Sequence, residues 1–334
     1  MTFMKSILGT AATLALTAGA ALADPALIYD LGGKFDKSFN EAAYNGAEIY
    51  AKETGGSYKD IELQSEAQRE QALRRFAEAG FNPVVTTGFS MSSPIASVAA
   101  DYPDTKFVTI DGYVDPEEHP NVLSILFSEH EGSYLVGMLA AMASESGTVG
   151  FVGGMDIPLI RKFACGYAQG AKAVSEDVTV ISNMTGTTPA AWNDPVKGSE
   201  LTKAQISQGA DVIFAAAGGT GIGVLQTAAD EGILSVGVDS NQNYLHPGKV
   251  LTSMLKRVDV AVAEAMTAGP DLETGVQVLG LADDGVGYAL DENNAELVTE
   301  EMKAAVDEAR EKIVAGEIEV HDYSADDSCP ALNF

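Results

Sequence analysis

The stretch Asp30-Leu-Gly-Gly-Lys-Phe-Asp-Lys-Ser-Phe-Asn40 follows the apolar run Ala26-Leu27-Ile28-Tyr29 and leads into a helix-patterned segment. An apolar run closed by an acid, two glycines and a Ser-Phe-Asn helix entry predicts a strand-loop-helix unit. Its loop lies at the carboxyl end of the strand, where open α/β sheets hold their ligands. That loop offers a carboxylate at Asp30, bare backbone at Gly32 and Gly33, and an aromatic ring at Phe39 beside Asn40.

The same alternation continues outward. Further strands are expected at Val84–Thr87, Lys106–Ile110, Val122–Ile125, Thr148–Val152, Val178–Ile181, Asp211–Ala216, Leu234–Val238, Val250–Ser253 and Val276–Leu279. Between them, Glu66–Ala79, Glu129–Ala143, Ile160–Val174 and Val224–Glu231 carry apolar residues at helical spacing. Strand and helix in turn predict parallel sheets covered by helices on both faces. About 300 residues exceed one hydrophobic core, yet no Gly/Ser linker, repeat or low-complexity block divides the chain. Two doubly wound α/β lobes joined by direct crossovers reconcile both facts. Near the end, Thr299–Ile313 reads as a last helix and Gly316–Val320 as a last strand. The polar tail beyond His321 is expected on the surface.

Residues 1–23 read as a cleaved export signal: Lys5, the apolar stretch Ile7–Ala18, and Ala21-Leu22-Ala23 ahead of Asp24. An apolar stretch of about 12 residues is too short to span a bilayer, and no cysteine marks a lipid attachment point at the cut. Removing 23 of 334 residues leaves 311, room for two domains. The formal charge of −28 becomes −29 on loss of Lys5. Such a charge repels phosphate backbones, so nucleic acid is not an expected partner; a solubilised surface accounts for the acidity equally well. Two cysteines, Cys165 and Cys329, are compatible with a disulfide in an oxidising compartment and equally with two free thiols.

Several strands end on a polar group. Asp30 closes the first, Asp111 follows Phe107–Ile110, Gly218-Gly219-Thr220 follows Val212–Ala217, and Asp239 follows Val236–Val238. Each alone reads as a turn or helix-capping residue; together they predict a polar rim around one cleft. Trp192, the sole tryptophan, sits in Thr188-Pro-Ala-Ala-Trp-Asn-Asp-Pro195 before a helix expected near Pro195, a setting unlike a core position. Two aromatics on opposed loops can clamp a flat ring. The run Gly218–Gly223 with Asp239 beyond it imitates a dinucleotide fingerprint, but Val224 stands where the third glycine belongs. Close backbone approach to a small ligand is the better reading. His119, His130, His246 and His321 have no metal-ligand spacing, and no Gly-x-Ser-x-Gly elbow occurs. Neither a catalytic pair nor a cofactor fingerprint emerges.

Taken together, these residues resemble the basic membrane protein family of solute-binding proteins, typified by the purine nucleoside receptor. The likeness rests on Asp30–Gly33 with Asp36-Lys-Ser-Phe-Asn40, Glu129–Gly137, Val149–Pro158, Trp192–Gly198, Ala216–Gly221 and Gly237–Gln242. It implies a type I periplasmic binding fold with three crossovers, one lobe from residues 24–127 plus 256–284 and the other from 128–255 plus 285–334. It further implies a nucleoside as ligand, an ABC importer permease as partner and no enzymatic activity. Phe39 and Trp192 would sandwich the base, with Asp30, Asn40 and Asp111 on ligand edges, Gly219 near the ligand, and Asp239 with Lys256 on the ribose hydroxyls. Many family members are lipoproteins; without a lipobox cysteine, free periplasmic diffusion is expected here. The rival readings are a flavin or signalling ligand on the same fold, or an exported nucleosidase or dehydrogenase. A sugar-responsive repressor shares the fold, but no DNA-binding helices precede Ala26.

Overall fold

The computed structural model describes residues 23–334, so the export-signal reading lies outside it except for Ala23. The chain opens with β1 (Ala26–Tyr29), α1 (Phe39–Thr54), β2 (Lys59–Glu62), α2 (Arg69–Glu78), β3 (Val84–Thr87), α3 (Ser92–Ala99), β4 (Phe107–Ile110) and β5 (Val122–Phe127). Then come α4 (Glu129–Ala143), β6 (Thr148–Met155), α5 (Pro158–Val174), β7 (Thr179–Gly186), α6 (Pro195–Ser207), β8 (Val212–Ala216), α7 (Thr220–Asp230), β9 (Leu234–Asp239) and β10 (Val250–Lys256). The chain closes with α8 (Val258–Ala268), β11 (Gly275–Leu279), β12 (Val286–Tyr288) and α9 (Glu300–Val314).

The strands form two six-stranded sheets, ordered β11-β5-β4-β3-β1-β2 and β12-β10-β9-β8-β6-β7. All pairings in the first are parallel, and in the second only β12 runs antiparallel, against β10. The chain passes between sheets after β5, after β10 and after β11, three crossings in all. The two doubly wound lobes of a type I periplasmic binding protein follow from that path.

Central strands explain why the pattern was readable. Every residue of β1, β3 and β4 is buried, as expected for parallel strands covered on both faces. Edge strands differ: β2 reads Lys-Asp-Ile-Glu with no buried residue, which is how an edge avoids pairing with another chain. In each sheet the winding reverses beside its first strand, between β1 and β3 and between β6 and β8. Those two reversal points open crevices at the carboxyl ends of the strands.

Gly316–Val320 is not a strand. The amides of Glu317 and Ile318 both donate to the carbonyl of Lys312, folding the chain back over the end of α9 before a ladder can form. The sheet is closed instead by β12. The tail beyond His321 is also more than a surface trailer. Cys165 and Cys329 form a disulfide with Cα atoms 5.7 Å apart, and Tyr323 is buried.

Candidate functional site

The loops after β1, β3, β4, β8 and β9 converge with the first turn of α5 and the end of β10 on one cavity between the sheets. It contains about 670 Å³ of empty space, its open mouth included. Asp30, Phe39, Asn40, Asp111, Trp192, Asp239 and Lys256 all line it. Gly219 does not: it lies at the entry to α7, and its neighbour Gly218 faces the cavity.

Several of these polar groups are already engaged within the protein. Asp30 takes a bidentate ion pair from Arg69, Nε to Oδ1 at 3.0 Å and Nη2 to Oδ2 at 3.2 Å, and accepts from the Ser90 hydroxyl. Asn40 donates to the Gly33 carbonyl at 3.1 Å and accepts from Thr87 at 2.8 Å, pinning the first loop to β3. Asp36 was not among the candidate site residues, yet it lines the cavity. Its carboxylate accepts from the amides of Ser38, Asn40 and Glu41 at 2.9–3.1 Å, satisfying donors at the start of α1 that no helical carbonyl can reach. Burial outweighs those bonds and pushes the Asp36 carboxyl up to about 7.

Lys256 is the electrostatic centre. Only 2 % exposed, its ammonium lies 2.6 Å from Asp111 Oδ2 and 2.8 Å from Glu129 Oε1. The rings of Phe39, Phe127 and Phe163 surround it at 5.0–5.5 Å. Burial disfavours the ammonium, but Asp111, Glu129 and Asp239 outweigh it and hold Lys256 protonated. Burial also raises the carboxyls of Asp111, despite Lys256, and of Asp239. For Glu129, Lys256 and Lys162 together overcome burial and lower its pKa.

Asp111 and Asp239 share an uncommon backbone. Both adopt left-handed φ, 68° and 61°, which costs free energy for residues with a Cβ and concentrates at functional positions. Asp111 Oδ1 is buried without a hydrogen-bond partner. Asp239 accepts from the Ser38 hydroxyl of the opposite lobe. Ser240 donates to the Ser38 carbonyl at 3.2 Å and Gln242 to the Lys37 carbonyl at 2.9 Å. These contacts join the two lobes beside the cavity.

Trp192 ends a 3-10 turn, Pro189–Trp192. Thr220 fixes that turn, donating to the Ala191 carbonyl at 2.8 Å and accepting from the Asp194 amide at 2.7 Å. The indole packs against the apolar core as well as facing the cavity, so it is more of a core residue than its loop suggests. It packs against Gly154, where a Cβ would come within 2.1 Å of Trp192 Cζ3. The glycines of Gly218–Gly223 divide their work. Gly218 lines the cavity, while Gly223 lets α7 approach α6, since a Cβ there would meet the Pro195 carbonyl oxygen at 1.9 Å. The dinucleotide reading finds no support in that arrangement.

Among the described residues no cluster of metal-ligating side chains occurs, and no helix is long and apolar enough to cross a membrane. The ion pairs that Arg69 and Glu129 make are not legible in the sequence. Neither spacing nor motif links Arg69 to Asp30, and Glu129 resembled an ordinary acidic first-turn residue of α4.

Comparison with known proteins gives the site its context. The family model of PnrA-like ABC transporter substrate-binding proteins matches residues 26–324. A Lactococcus lactis protein named as an ABC transporter nucleoside-binding protein is 31% identical over 320 residues, covering 88% of this chain and 88% of its own. A Pyrococcus abyssi protein named an uncharacterized lipoprotein is 36% identical over 279 residues, covering 79% of this chain and 68% of its own. The crystal structure of a solute-binding protein from Aeropyrum pernix superposes with a TM-score of 0.79 at 27% identity, covering 90% of this chain and 93% of that one. With the family model matching from β1 to the C-terminal tail, the chain belongs to the PnrA-like, basic membrane protein family of ABC transporter substrate-binding proteins.

Proposed function

We propose that this protein binds a nucleoside, purine by preference, in the cavity between its lobes and delivers it to the permease of an ABC importer. The supporting observation is the composition of that cavity: Phe39 and Trp192 among its aromatic side chains, together with the Asp111–Lys256 ion pair and the Asp239 carboxylate. Aromatic faces hold a planar base, and stacking of this kind contributes roughly 1–3 kcal/mol per base. Carboxylates accept from the hydroxyls of a sugar, with charged hydrogen bonds contributing roughly 1.5–3 kcal/mol each. Asp30 and Asn40 keep the first loop in place through Arg69 and Thr87, which leaves Asp111 and Asp239 as the main acceptors. Lobe closure excludes water and strengthens each contact.

The protein works as a freely diffusing periplasmic carrier in this reading, although relatives such as the Pyrococcus abyssi one are named as lipoproteins. Calorimetric titration with purified purine and pyrimidine nucleosides tests the ligand. A dissociation constant in the nanomolar to micromolar range, about −12 to −8 kcal/mol, is expected for at least one. Absence of heat with every nucleoside, or release of free base during incubation, would reject the proposal.

A further inference from the structure

Lys256 is not held by cavity residues alone. Its second carboxylate partner, Glu129, opens α4, is 1% exposed, and does not line the cavity. Glu129 Oε2 faces Lys162 Nζ on α5 at 3.0 Å. Lys162 also donates to the Phe127 carbonyl at 2.8 Å and meets Asp322 Oδ2 at 3.4 Å. Asp322 belongs to the segment that the Cys165–Cys329 disulfide ties to α5, and beside it Gln169 and the His321 backbone exchange two hydrogen bonds. An alternating file of charge therefore runs from cavity to surface: Asp111, Lys256, Glu129, Lys162, Asp322.

We propose that Lys162 is a positioning residue of the ligand site: by neutralising the far side of Glu129 it leaves Lys256 shared with Asp111, and so governs the charge Asp111 presents to a ligand. The inference rests on reading the cavity as the binding site. One ammonium has donors for two buried carboxylates but can neutralise only one of them, and like charges so close oppose joint ionisation. A second cation on Glu129 resolves the conflict. Without Lys162, Glu129 draws on Lys256 alone and Asp111 takes up a proton instead. The other ionisable groups facing this file are Asp239, His130 and His321. Burial, aided by Lys162, pushes His130 down to about 4, so it stays neutral above that pH. Lys162 thus reaches the site through Glu129 and Lys256 without lining it.

The test follows the Asp111 carboxyl carbon by NMR across pH, with Asp111→Asn assigning the signal. Lys162→Met should raise the Asp111 midpoint by about one pH unit, tenfold in proton affinity. Glu129→Gln, which removes the competing charge, should lower it by a similar amount, and Lys162→Arg should restore the wild-type midpoint. Loosened packing would not move one carboxyl in opposite directions. An unchanged midpoint in Lys162→Met, or shifts of the same sign in both variants, would overturn the proposal. Should Lys162→Met not fold, Lys162→Gln, which removes the charge but keeps an N–H donor, takes its place: a raised Asp111 midpoint supports the proposal, no change or a fall overturns it. Because this readout needs no ligand, a wild-type protein that binds no nucleoside would count against the proposed function and leave Lys162 to be judged separately.

Discussion

Replacing Lys256 by methionine isolates the electrostatic core of the site. Methionine keeps most of the side-chain length inside the ring of Phe39, Phe127 and Phe163 but withdraws the cation between Asp111 and Glu129. Removing one partner of a buried ion pair costs about 3–5 kcal/mol, because a buried charge is left uncompensated. For lobes of roughly 150 residues that is a drop in Tm on the order of 10 °C near pH 8. The loss must depend on pH, and its sign can be worked out. Burial, only partly offset by Lys256, already raises Asp111 from 3.8 to about 6 in the wild type. A raised carboxyl binds its proton more tightly in the folded state, so it destabilises progressively as pH climbs from 3.8 to that value. Without the ammonium the rise is larger, and the added cost appears only above about pH 6; below it Asp111 is protonated in both proteins. Glu129 behaves oppositely. Its folded pKa is depressed because the lysines outweigh burial, so the stability it contributes is present above 4.5 and lost on acidification; the variant forfeits part of it. The gap between wild type and Lys256→Met should therefore shrink from pH 8 to pH 5 by about 2–3 kcal/mol, taking 1.36 kcal/mol for each pH unit that separates the two Asp111 midpoints. Chemical denaturation of ligand-free protein at both pH values measures it. Equal stability of the two proteins at pH 8, or a deficit identical at pH 5 and pH 8, would refute the reasoning.

Phe39→Ala should weaken nucleoside binding tenfold or more in calorimetry, the equivalent of a stacking contribution of about 1–3 kcal/mol; unchanged affinity would remove Phe39 from the site. Asp239→Ala should cost nucleosides far more affinity than the matching free bases, and equal losses would rule out a role on the sugar. Gly154→Ala should displace the indole that rests on it, shifting intrinsic fluorescence, for which Trp192 is the sole tryptophan, and lowering affinity in parallel. Replacing Cys165 and Cys329 together by alanine opens a 164-residue separation and should lower stability by a few kcal/mol, up to about 5, measured by denaturant midpoint.

The sequence was most legible where burial is two-sided. Runs such as Val84–Thr87 and Phe107–Ile110 are buried along their whole length, and parallel strands of that kind leave an uninterrupted apolar signature. From those strand ends the polar rim could be placed, since Asp30, Asp111 and Asp239 sit where three such runs stop. Edge strands are legible unevenly: Val178–Ile181 and Val276–Leu279 read as strands, but Lys59–Glu62 and Val286–Tyr288 carry no such mark, and Gly316–Val320 alternates like a strand yet is claimed by the end of α9. Partnerships were the least visible layer. Arg69 meets Asp30 from 39 positions away, and Lys162 meets Glu129 only because α4 and α5 pack together. Asp36 shows a third kind of gap, because a helix-capping aspartate and a cavity-lining one look alike in one dimension. Gly218 and Gly219 differ by a single position, and only the start of α7 decides which of them faces inward.

The most direct test is a crystal structure of the protein grown with a purine nucleoside. The account predicts a flat ring in the cavity against Phe39 and Trp192, with sugar hydroxyls within hydrogen-bonding distance of Asp239. A nucleoside seated elsewhere, or one in the cavity touching neither aromatic ring, would contradict it.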